Sequence, residues 1–147
     1  MNGVGRGDRS DDGSTLLLTI FYGFLATTLI LVVVAATSLY LERKRLFTLA
    51  DGAALAASES FTLDTASGTP VPLLNSADVA NAVDRFLAIA PHGGFEGFRV
   101  ARAVAVDDIG ASVTLTAYWR PPVLTLVLPA GVPIEVTADA RSAFAGN

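Results

Sequence analysis

Few residues in this 147-residue chain carry the side chains that catalysis or metal binding requires. The single histidine, His92, sits in Pro91-His92-Gly93-Gly94, a loop-forming stretch. A general base or metal ligand needs partners within hydrogen-bond reach, and the chain supplies no second histidine. A surface loop residue is the simpler reading. Asp107 and Asp108 form the most conspicuous carboxylate pair, suited in principle to acid–base work or a cation. As part of Asp107-Asp108-Ile109-Gly110 they read instead as a hairpin turn. Cysteine is absent, so disulfides, thiolate nucleophiles and cysteine zinc sites are excluded. No GxSxG, P-loop or HExxH pattern occurs. The glycines at Gly3-Val4-Gly5 and Gly93-Gly94 lack the preceding strand and following helix that a phosphate cradle needs. The net charge is −4, and outside Arg43-Lys44-Arg45 the basic residues are scattered, unlike a nucleic-acid surface. These readings predict a chain that is not an enzyme, with no cofactor, metal or small-molecule substrate.

The residues with a clear physical role are apolar. From Leu16 to Leu41 there is no charged, Asn, Gln or His side chain. As a helix this run is about 39 Å long, against a hydrocarbon core of roughly 30 Å, so it spans a bilayer with some tilt. It is much longer than a secretory h-region, and Glu42-Arg43-Lys44-Arg45 separates it from any Ala-x-Ala site, which predicts an uncleaved anchor. Within it, Gly23 and Thr27 form a small-xxx-small pair that lets another helix approach. No ionisable side chain is available for an ion pathway. Arg43, Lys44 and Arg45 flank the membrane, where they suit anionic headgroups.

Ahead of the anchor, residues 1–14 read as a flexible tail, with Asp12 or Ser14 as a helix cap. Beyond it no proline occurs from Glu42 to Ser60, and Leu46, Leu49, Ala50, Ala53 and Ala57 recur at spacings of three and four. The helix is therefore expected to continue, with a narrow small-residue stripe suited to close packing. The boundaries are a tail at 1–14, a transmembrane helix at 15–41, a helix extension at 42–60 and an α+β domain at 61–147.

In that domain Phe61–Asn75 reads as a connecting loop, on Gly68, Pro70 and Pro72. A second helix begins at Ser76, with Val79, Ala82, Val83, Phe86, Leu87 and Ala90 on its apolar face and Pro91 at its end. Strands follow at Phe98–Val106, Ser112–Trp119 and Ile134–Arg141, with a short apolar run at Val123–Leu128. Arg102 breaks the alternation of the first strand. The fold class expected is α+β, with the helices on a small antiparallel sheet.

The pattern Asp12-Gly13-Ser14, the apolar helix with Tyr40 near its end, Arg43–Arg45, then Ala50-Asp51-Gly52-Ala53-Ala54-Leu55-Ala56-Ala57 resembles the N-terminal region of TadE/TadG-like proteins of the tight-adherence (Flp) pilus machinery. The resemblance covers roughly residues 11–60, and the ending Val136-Thr137-Ala138-Asp139-Ala140-Arg141 is similar to the family as well. It implies a pilin-like architecture and a minor, pseudopilin-like component of a Flp pilus or related secretion apparatus. The partners implied are the lipid bilayer and other pilin-like subunits or pilus-assembly membrane proteins. It also implies a cytoplasmic N-terminus and an extracytoplasmic C-terminal domain. The Lys and Arg count alone leans the other way by one residue, Arg43–Arg45 against Arg6 and Arg9. Gly13 and Ser14 form the candidate processing site, although Leu18 stands where processed prepilins carry Glu, and Gly52 replaces the family's usual Ala. The competing reading is a single-pass, membrane-anchored extracytoplasmic binding module of the cell envelope, with Tyr118-Trp119-Arg120-Pro121-Pro122 as its contact segment. Trp119 shares a strand face with Val113 and Leu115, which favours a core position.

Overall fold

The structure, a computed structural model, describes residues 9–64, 71–121 and 129–143. The expected run Val123–Leu128 and the first eight residues of the expected tail lie outside them. The elements are α1 (Arg9–Ser58), β1 (Thr62–Asp64), β2 (Val71–Leu73), α2 (Ser76–Ile89), β3 (Glu96–Ala105), β4 (Gly110–Trp119) and β5 (Val132–Arg141). Two helices and a three-stranded antiparallel sheet in the order β3-β4-β5 make this the expected α+β architecture. Helix propagation is far easier than nucleation, and α1 accordingly extends back to Arg9, inside the segment read as tail.

The chain divides into two compact units, Met1–Thr37 and Ser38–Asn147. In the first, the described side chains of α1 are almost all exposed. Four of its threonine hydroxyls are satisfied within the helix. The hydroxyls of Thr19, Thr27, Thr28 and Thr37 donate to the carbonyls of Thr15, Gly23, Phe24 and Val33 at 2.8–2.9 Å. That pattern suits a helix in lipid, where an unpartnered hydroxyl would find no water.

In the second unit the remainder of α1 supplies Leu46, Ala50, Ala53, Ala54 and Ala57 to the core, each fully buried. Helix α2 adds Val79, Ala82, Val83 and Leu87. The sheet completes it with Val113, Leu115, Ala117 and Trp119 of β4 and Ile134, Val136 and Ala138 of β5. The N-cap of α2 is Asn75, whose side chain accepts from the Asp78 amide at 2.9 Å. Ser76 is the first residue of α2, as expected, and its hydroxyl accepts from the Ala105 amide at 3.1 Å.

Strand β4 lies in the middle and pairs with β5 in unbroken register from Gly110↔Arg141 to Trp119↔Val132. Its polar face is nearly as buried as its apolar one, with Ser112 and Thr114 each 9% exposed. Thr114 meets Thr137 hydroxyl to hydroxyl at 2.9 Å, a cross-strand pair that satisfies both.

One reading is explained and one corrected. Arg102 spoils the alternation, as expected, without ending β3. The pairing with β4 shifts register between Glu96 and Arg99 and again between Val100 and Arg102. Each bulge re-phases the strand, so Arg102 ends up exposed. Gly97 takes φ 57° in the first bulge, with Tyr118 packed over it. The segment Phe61–Asn75 is not wholly loop, because β1 and β2 pair antiparallel through Leu63↔Pro72. In a two-stranded ribbon each strand has a free edge, so the amide that Pro72 lacks need not be missed.

Candidate functional site

The functional candidates all lie on α1. Gly13–Ser58 contains a window of mean hydropathy 2.5 with none of it buried, long and apolar enough by composition to cross a membrane. Gly13 and Ser14 are exposed near the start of α1, and open space surrounds the Gly13 Cα. Gly23 is likewise open, so the surface beside Gly23 and Thr27 is bare within this chain. The Thr27 hydroxyl is turned to its own helix at Gly23.

Ala50, Ala53 and Ala57 lie inside the second unit, fully buried. They let α1 come close to its neighbours. The buried set is wider than the expected stripe, since Ala54 and Ser58 join it while Leu49 is only half-buried. Positions 46, 50, 53, 54, 57 and 58 follow the i, i+4, i+7, i+8 pattern of a full core-facing helix, which a narrower stripe understates. At Gly52 of α1 an added Cβ would stand 2.8 Å from Phe86 Cζ of α2. This gives a packing reason for glycine at that position.

Arg43, Lys44 and Arg45 are exposed at the start of the extension. Arg45 reaches Glu42 only at 4.0 Å, and so exposed a pair adds little stability. One open cleft of about 530 Å3 runs between α1 and α2, bounded by Glu42, Arg45, Leu49, Phe86, Pro91 and Phe95. On the other side of α1, Tyr40, Arg43, Lys44 and Phe47 face Glu135 and Thr137 of β5 across a second cleft.

The groups with chemical potential have structural partners. Asp107 Oδ1 accepts from the Ile109 amide at 3.1 Å, and Asp107 Oδ2 accepts from Arg141 at 2.8 Å. The Asp107 carboxylate thus braces the β3–β4 turn. The His92 ring lies against Phe98 with centroids 5.0 Å apart, and its Nδ1 is 2.9 Å from the Ala90 carbonyl. Among the described residues no group of three or more His, Cys, Asp or Glu stands where it could hold a metal ion.

Trp119 is 9% exposed, so it belongs to the core and not to a contact surface. Its indole Nε1 donates to Ser38 Oγ at 3.2 Å. Ser38 is a residue of the apolar run Leu16–Leu41, and nothing in the sequence pairs it with Trp119. A lone serine at the end of an apolar run, opposite a tryptophan far along the chain, gives no local pattern to read.

No curated protein and no solved structure matches the chain. A family model does match. Residues 13–67, which hold the apolar run, the basic cluster and the small-residue stripe of α1, match the family described as "Putative Flp pilus-assembly TadE/G-like", and so carry the Flp pilus-assembly signature that these elements first suggested.

Proposed function

We propose that the chain is a minor, pseudopilin-like component of a Flp pilus or related secretion apparatus. It is held by a single membrane-spanning helix, with its N-terminus cytoplasmic and its α+β unit outside the cytoplasmic membrane. The observation that carries this reading is α1 itself. One helix bears lipid-compatible side chains in its first half and buried small residues in its second, within the segment that matches the family model. Such a helix joins a membrane anchor to a folded unit, as an anchored subunit of an assembly requires. The bare surface at Gly23 and Thr27 is the region offered to other membrane helices of the machinery. Gly13-Ser14 is the position at which a prepilin peptidase would act. The binding-module reading loses its leading contact residue, because Trp119 is buried.

The test is deletion of the chain in its host, with complementation by the intact chain and by a Gly23→Leu, Thr27→Leu variant. Loss of Flp-type piliation and adhesion, restored by the intact chain and not by the variant, is expected. Unchanged piliation on deletion would overturn the assignment, and N-terminal sequencing of the mature chain decides the Gly13-Ser14 cleavage.

A further inference from the structure

Each strand of the three-stranded sheet turns alternate side chains to opposite faces. Val113 and Leu115 of β4, with Val136 and Ala138 of β5, take the core side. The register fixes what lies on the other. Arg99, Thr116 and Glu135 form one row across β3, β4 and β5. Arg102, Thr114 and Thr137 form the next, and Val104, Ser112 and Asp139 the third. The outward face is therefore sorted by strand, with guanidinium groups on β3, hydroxyls on β4 and carboxylates on β5.

Arg99, Arg102, Glu135 and Asp139 are all exposed, and none of them makes an ion pair among the described residues. Two strand spacings, roughly 9.5 Å, separate the basic column from the acidic one. Neighbouring charges of the sheet are matched within the chain. Arg120 pairs with Glu96 at 2.7 Å and Arg141 with Asp107 at 2.8 Å. Two cations and two anions thus stand unmatched in parallel columns. Strand β4 is recessed between them, with Ser112 and Thr114 each 9% exposed.

This face is complementary to itself. A two-fold axis along the strands, with two copies laid face to face, brings β3 of each over β5 of the other and keeps every row at its own level. Arg99 then faces the partner's Glu135, and Arg102 faces the partner's Thr137 with the partner's Asp139 one row along. A two-fold axis across the strands would instead set β3 on β3, arginine against arginine. Facing sheets stack about 10 Å apart, a gap that an arginine and a carboxylate side chain span together.

We propose that the outward face of the sheet docks a second copy of this chain, with Arg99 and Arg102 of each copy on Glu135 and Asp139 of the other. The face covers on the order of 350 Å2 per copy, less than half of the roughly 800 Å2 per partner of a standard stable interface. The contact is therefore weak and salt-sensitive, and it forms where copies are held close together. It goes beyond the pilus assignment and does not depend on it.

Cysteine is absent, so Thr116→Cys places a single thiol on β4 near the axis. The full chain carrying it is reconstituted into phosphatidylcholine vesicles at a low protein-to-lipid ratio and treated with a short bis-maleimide, and cross-linked dimer is expected. Adding Arg99→Glu with Arg102→Glu, or Glu135→Lys with Asp139→Lys, sets like charge on like charge and should lower the dimer yield several-fold. Mixing the two variants in one vesicle, or combining all four changes in one chain, should restore it. Far-UV circular dichroism checks the fold of each, and exposed positions of this kind tolerate substitution. A yield that neither reversal lowers would overturn the proposal, as would a loss that neither the mixture nor the four changes together recover. Absence of dimer in the Thr116→Cys chain would also overturn it and leave this face for a partner of other chemistry.

Discussion

Replacing Ser38 with alanine removes the acceptor of the only tryptophan's indole N–H. A neutral hydrogen bond of this kind contributes about 0.5–1.5 kcal/mol net, and a buried donor left without a partner costs about 1–3 kcal/mol. Against this, alanine is a better helix former than serine by up to about 0.7 kcal/mol. The net loss expected for Ser38→Ala is therefore about 1 kcal/mol, too small to interpret alone. The Trp119→Phe change removes the donor and part of the ring from a site only 9% exposed, for which about 1–3 kcal/mol is expected. The double-mutant cycle cancels helix propensity and lost volume and leaves the contact. Urea unfolding of the four full-length proteins in mild detergent, followed by far-UV circular dichroism, should give a coupling energy of about 1 kcal/mol. In the two chains that keep Trp119, its fluorescence reports the same transition. Single effects that add within about 0.3 kcal/mol would refute the contact and the placement of β4 against α1.

Further outcomes follow from the packing. Ala53→Leu inserts a larger side chain where none of the residue is exposed, so it should lower stability by about 1–3 kcal/mol. Leu55→Ala, on the exposed side of the same helix, should change it by less than about 0.5 kcal/mol in the same denaturation assay. Gly52→Val would place its Cβ 2.8 Å from Phe86 Cζ and should destabilise by about 1–3 kcal/mol. Combining it with Phe86→Ala should cost less than the sum of the two changes, a non-additivity that thermal melts can read. Gly131 has φ 70°, and a Cβ there would approach the Trp119 carbonyl oxygen to 2.9 Å. Gly131→Ala should therefore lower stability by at least about 1–2 kcal/mol, the cost of holding an L residue left-handed.

Much of this fold was legible because α1 and β5 follow simple periods. The apolar run, the small-residue extension and the alternation of Ile134, Val136 and Ala138 with Glu135, Thr137 and Asp139 all appear where expected. What escaped depends on distant partners. The bulges that re-phase β3 around Arg102 exist only in register with β4, and Leu63↔Pro72 is a pairing that turn residues conceal. The site was legible in its residue types, since Ala50, Ala53 and Ala57 were read as a packing stripe. The reason for Gly52 was not, because it lies in the ring of Phe86 on another helix.

The proposed topology joins a cytoplasmic N-terminus to an extracytoplasmic unit through α1. Thr15 and Asp139 are both exposed, and cysteine is otherwise absent, so Thr15→Cys and Asp139→Cys chains each report one side of the membrane, and the label at 15 is kept whether or not the chain is cut after Gly13. In intact spheroplasts a membrane-impermeant maleimide should label the cysteine at 139 and spare that at 15 until lysis. Labelling at 15 with protection at 139 would contradict the proposed topology.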